Sequence, residues 1–124
     1  MRFLIISGDN SVISLIHTTM TGYGSFDIAD CIATAMEHIE SNKEQTYQVI
    51  FVDIDLPDGK GLDFLQKLRE YEKDFETYSP AVVMTNSRQS AHTMDYFANS
   101  KDRFISKPIF RPELLEILKE LIHI

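Results

Sequence analysis

A single cysteine, Cys31, stands in 124 residues, so no internal disulfide can form, and the chain suits a reducing compartment. Basic residues are scarce: twelve Lys and Arg face nineteen Asp and Glu, for a formal net charge of −7. Such a surface repels a phosphate backbone, which argues against direct nucleic-acid binding. No apolar stretch approaches the length that crosses a bilayer, so no membrane partner is expected. The opening Met1-Arg2-Phe3-Leu4-Ile5-Ile6 passes at once into polar residues, unlike a signal peptide. Repeats, low-complexity tracts and linkers are missing. The four histidines, His17, His38, His92 and His123, have no metal-ligand spacing. A hydrophobic fraction of 44% and a charged fraction of 25% are those of an ordinary globular chain. The expectation is one cytoplasmic domain over residues 1–124, large enough to bury a core without disulfide or metal staples.

What is present is an alternation of strand and helix signals. The run Val49-Ile50-Phe51-Val52-Asp53 is apolar and rich in β-branched and aromatic residues, as a buried strand requires, and it ends on a carboxylate. Pro57, Asp58 and Gly59 then turn the chain away. Further strands are expected at 3–6, 26–29, 81–85 and 103–106. Between them, Val12, Ile13, Leu15, Ile16 and Met20 recur at helical spacing, with Gly22 or Gly24 ending that helix. Ile32, Ala35, Met36 and Ile39 mark a second helix, and Leu62, Leu65, Leu68 and Tyr71 a third. Ala91, Met94 and Phe97 mark a weaker fourth. A fifth starts at Pro112 and carries Leu114, Leu115, Leu118, Leu121 and Ile122. Residues 71–79 read as a polar surface loop, and Cys31 as a small core residue.

Five β–α units predict an α/β fold: a doubly wound parallel sheet with helices on both faces and right-handed crossovers. Chemistry in such sheets gathers where strands end at their carboxyl edge. Asp53, Thr85 and Lys107 all fall at such ends. A carboxylate, a hydroxyl and an ammonium together suit an anionic group: Asp53 can attack phosphorus, Lys107 offsets the added charge, and Thr85 donates to a phosphoryl oxygen.

With those residues in place, the chain resembles the receiver domain of bacterial response regulators. The resemblance rests on Asp53 with Leu56-Pro57-Asp58 and Gly61, on Thr85 after Val82-Val83-Met84, and on Phe104-Ile105-Ser106-Lys107-Pro108. It implies a flavodoxin-like five-stranded sheet in the order 2-1-3-4-5 and a cis Lys107-Pro108 bond. It also implies Asp53 as phospho-acceptor, Thr85 as switch hydroxyl, Lys107 as the charge-compensating lysine and Phe104 at the switch aromatic position. The implied partners are a histidine kinase or phosphotransfer protein, a downstream output protein or domain, and a second copy paired through the last helix, where Ile117 or Ile124 is either an exposed dimer patch or simply the edge of the core. Such domains are signalling switches rather than enzymes, with at most self-catalysed phosphotransfer.

Two positions depart from the pattern. The family holds Mg²⁺ with two adjacent acids after its first strand; here those positions are Ser7 and Gly8. Asp9 follows, as a substitute ligand or as the cap of the first helix. Mg²⁺ wants several oxygens in octahedral array, so Asp53 and Asp9 are expected to bind it weakly, with Asp55 as an added repulsion or a replacement ligand. Asn86 stands where the family prefers a small residue, and either narrows the entrance or donates to a phosphoryl oxygen. Two functions follow: a phosphorylation switch on Asp53, or a phosphorylation-independent interaction module. Asp53-Ile54-Asp55 also resembles the first motif of haloacid-dehalogenase-type phosphatases, but that motif sits near the N-terminus there. A flavin site lacks its phosphate-cradling loop.

Overall fold

The computed structural model describes residues 1–41, 46–86 and 100–122. Five parallel strands form one sheet: β1 (Arg2–Ile6), β2 (Ser25–Ala29), β3 (Val49–Asp53), β6 (Ala81–Thr85) and β7 (Arg103–Ser106). Their spatial order is β2-β1-β3-β6-β7, which is the expected 2-1-3-4-5 when the five are counted alone. The remaining strands, β4 (Asp55–Leu56) and β5 (Gly59–Lys60), make a short antiparallel hairpin after β3. The helices are α1 (Asn10–Thr19), α2 (Ile32–Ser41), α3 (Gly61–Phe75) and a C-terminal helix, Arg111–Ile122.

Period-two alternation divides the core into two layers. Leu4, Ile6, Ile50, Val52, Ala81 and Val83 point to one face, under α2 and α3. Phe3, Ile5, Val49, Phe51, Val82 and Met84 point to the other, under Val12 and Ile16 of α1 and Leu114 and Leu118 of the C-terminal helix. The register pairs Phe3 with Val49 and Asp53 with Met84. In β3, Val49, Ile50, Phe51 and Val52 are each fully buried and stabilise the fold by on the order of 1.5–3 kcal/mol apiece. That sum is enough to carry a carboxylate at the strand tip into a nearly dry position, a cost of a few kcal/mol.

Several expectations shift. The first helix stops at Thr19, capped by Met20, ahead of both glycines; Met20 is fully buried, so the chain turns there. Residues 71–75 belong to α3, which closes on Glu76 in the left-handed region, φ 52°. Their Glu and Lys content favours helix over the expected loop. Of the two readings of Ile117, its half-buried position against the core is the edge-of-core one, and Cys31 is half-buried with its Sγ 3.3 Å from the Thr34 hydroxyl. The expected fourth helix and Ile124 lie outside the described residues.

Candidate functional site

Asp53, Thr85 and Lys107 meet at the carboxyl edge of the sheet, as their strand ends require. Asp53 is the last residue of β3 and only 7% exposed. Lys107 follows β7 directly; its backbone N–H donates to the Thr85 carbonyl at 2.7 Å, and its Nζ sits 3.0 Å from Asp53 Oδ1. That approach is an ion pair without the direction of a hydrogen bond, and Oδ1 accepts none among the described residues. Thr85 is fully buried, its hydroxyl making only a long 3.5 Å contact, to the Ile105 carbonyl, among the described residues. So loosely held a hydroxyl can reorient when a better acceptor arrives. Phe104 is half-buried, packed against the α2–α3 layer, and Asn86 is exposed. The Lys107-Pro108 bond is cis.

Ser7 supplies the contact that sequence reasoning missed. It is 1% exposed and its N–H is fixed to the Ala29 carbonyl at 2.9 Å. Its hydroxyl accepts the Asp9 N–H at 3.0 Å and donates to Asp53 Oδ2 at 2.6 Å. Asp53 and Ser7 are 46 residues apart, so only the β1–β3 pairing reveals the contact. A Cβ on Gly8, beside it, would meet nothing within 4 Å among the described residues.

Asp9 lines a groove with Ser11, Val12, Leu15, Lys107, Pro108 and Ile109. Its carboxylate Oδ1 caps α1, accepting from the Ser11 N–H at 3.0 Å, the Ser11 hydroxyl at 2.7 Å and, more weakly, the Val12 N–H at 3.4 Å. The Ser11 hydroxyl, foremost, holds the Asp9 carboxyl below its ordinary pKa. Asp55 is exposed and paired with Lys60. Among the described residues, no three acids, histidines or cysteines gather into a metal-binding group. One carboxylate, with a serine donor on one oxygen and a lysine beside the other, supplies few of the six oxygens that Mg²⁺ takes and leaves the rest to water or backbone.

The loop after Asp53 is held on two sides. Gly61 donates to the Ile54 carbonyl at 2.8 Å, and a Cβ on it would lie 2.3 Å from the Asp53 carbonyl oxygen, an approach only glycine allows. Asp58 caps α2 from the hairpin turn. The Ile32 N–H donates to its Oδ1 at 2.8 Å and the Ala33 N–H to its Oδ2 at 3.0 Å. Those donors depress the Asp58 pKa.

At the opposite, amino edge lies a second polar cluster, in the region read as a loop. Arg69 reaches Glu72 Oε1 (2.5 Å), Asp102 Oδ1 (2.6 Å) and the Ser79 carbonyl (3.0 Å), and stacks over the Tyr78 ring at 4.1 Å. Burial opposes its charge, but hydrogen bonds to Asp102 and Glu72 outweigh it and raise its pKa. Burial and Asp102 push the Tyr78 phenol up to about 12. The Arg69–Glu72 spacing, i to i+3 on a helix, was the one local signal for this cluster.

A family model described as the response regulator receiver domain matches residues 3–119. The chain is 36% identical over 89 residues to the hybrid signal transduction histidine kinase L of Dictyostelium discoideum, covering 71% of this chain and 5% of that protein. A solved two-component response regulator from Clostridium difficile superposes with a TM-score of 0.81 at 26% identity, covering 99% of this chain and 96% of that one. The receiver domain of sensor histidine kinase PA1611 from Pseudomonas aeruginosa PAO1, solved with a magnesium ion in its active-site cleft, shares the fold. Its TM-score is 0.74 at 19% identity, covering 99% of this chain and 98% of that one. The chain spans between 5% and 52% of the length of its curated relatives.

Proposed function

This chain belongs to the response regulator receiver family of two-component signalling, and on that premise we propose that Asp53 accepts a phosphoryl group at a site that binds Mg²⁺ weakly. The reading rests on one observation above the rest: the Lys107 ammonium lies 3.0 Å from a buried Asp53 carboxylate at the rim where β3, β6 and β7 end. Thr85, loosely bonded beside β7, is the hydroxyl that turns to the new phosphoryl oxygen, and Phe104 follows it inward. The change is a shift between two packings driven by added charge. Receiver domains take phosphoryl groups from histidine kinases or phosphotransfer proteins and pass the signal to output domains; we assign this chain the same kinds of partner and a cytoplasmic location over the single domain 1–124. No helix among the described residues is long and apolar enough to cross a membrane. A homodimer through the C-terminal helix would draw on Ile117 only in part, since it is half-buried against the core.

Weak metal binding follows from the donor set: Ser7 and Gly8 in place of acids, and Asp9 serving as a helix cap. Incubation with acetyl phosphate should add one acyl phosphate to the wild-type chain and none to Asp53→Asn, read by intact mass. Calorimetric titration should give Mg²⁺ a Kd of roughly millimolar or weaker, about −4 kcal/mol or less. The same donor set favours the second reading, a docking module independent of phosphorylation. An unmodified wild type whose partner binding ignores Asp53→Asn would establish that reading instead.

A further inference from the structure

We propose that the Ser7 hydroxyl is a positioning residue that stands in for a metal-held ligand, so that phosphoryl transfer to Asp53 needs no divalent cation. This rests on Asp53 being the acceptor. Three observations carry it. The Asp9 N–H occupies a lone pair of the Ser7 oxygen, which leaves the Ser7 proton directed at Asp53 Oδ2, 2.6 Å away. The Ser7 backbone is fixed to β2 through Ala29, and burial to 1% exposure keeps water from competing for that proton. The two carboxylate oxygens therefore differ. Oδ2 is hydrogen-bonded and less nucleophilic; Oδ1 accepts no hydrogen bond among the described residues and has only the Lys107 ammonium beside it.

Oδ1 is the attacking atom. Its electron pair forms the O–P bond as the bond from phosphorus to the donor's leaving atom breaks. That electron pair departs with the donor, as acetate when acetyl phosphate is used. Lys107, a fifth exposed on a flexible four-carbon stem, moves off Oδ1 to admit phosphorus and then faces the phosphoryl oxygens. Ser7 holds Oδ2 throughout, so the carboxylate enters the reaction already oriented.

The test is the rate of acyl phosphate formation from acetyl phosphate, in excess EDTA and in millimolar MgCl₂, for wild type, Ser7→Ala and Ser7→Thr. Wild-type rates should agree within about threefold across the two conditions. Ser7→Ala should be slower by roughly ten- to a hundredfold, the range for one hydrogen bond to a charged group. Ser7→Thr, which keeps the hydroxyl, should recover most of the loss. A wild type labelled only with Mg²⁺ overturns the proposal and leaves Asp53 as acceptor, whatever the variants' stability. Ser7→Ala reacting as fast as wild type, or a folded Ser7→Thr as slow as Ser7→Ala, overturns it too. A wild type unlabelled in both conditions removes the acceptor reading and this inference together.

Discussion

At the amino edge of the sheet, Asp102 Oδ1 accepts from Arg69, the Tyr78 hydroxyl and the Ala81 N–H, at 2.6, 2.9 and 3.0 Å. At the carboxyl edge, Asp53 has one donor on Oδ2 and a bare ammonium beside Oδ1. Both carboxylates are buried, at 1% and 7% exposure. The difference lies in how completely each is satisfied. A saturated charge locks chain segments together, here α3, the approach to β6 and the approach to β7. An incompletely bonded one keeps reactivity, because its lone pairs are not all committed. The molecule thus anchors β6 and β7 where they start and leaves them adaptable where they end, at Thr85 and Lys107.

The contrast breaks first, and hardest, at Asp102. Asp102→Ala removes one of the two carboxylates on the Arg69 guanidinium and takes the acceptor from the Tyr78 hydroxyl and the Ala81 N–H; it should cost about 3–5 kcal/mol, read as a lowered urea midpoint at unchanged slope. Asp53→Asn should move stability by no more than about 1 kcal/mol, because an amide oxygen still accepts from Ser7 and Lys107 can turn to water. A loss as large as that at Asp102 would mean that the two edges are built alike. Smallest is Asp58→Ala, which uncaps α2. Backbone donors hold the Asp58 carboxyl below its ordinary 3.8. Its contribution is therefore complete above that value and fades as pH falls through the folded-state pKa. Urea midpoints of wild type and Asp58→Ala should differ at pH 7 and converge in acid.

The carboxyl edge was legible because strand ends are a sequence property: apolar runs stop at Asp53, Thr85 and Ser106, and topology does the rest. The alternation that buries Phe51 on one face and Val52 on the other was equally plain. The amino-edge cluster was not, since Asp102 bonds Arg69 across 33 residues, and nothing near either one advertises the other. Ser7 shows a subtler limit. Set against a family pattern, it counts as an absent acid. Only the fold reveals a hydroxyl doing its own work on Asp53. Asp58 likewise read as part of a turn, while its carboxylate caps a helix that starts 26 residues earlier.

Gly8, with nothing among the described residues within 4 Å of where a side chain would grow and no strained backbone angle, has an evolutionary corollary. Every glycine codon becomes an aspartate or glutamate codon by a single base change. A lineage carrying this gene samples an acid there continually, and its first side-chain carbon meets no described residue. What glycine there spares the protein is a further negative charge next to Asp9 and close to the Asp53 carboxylate.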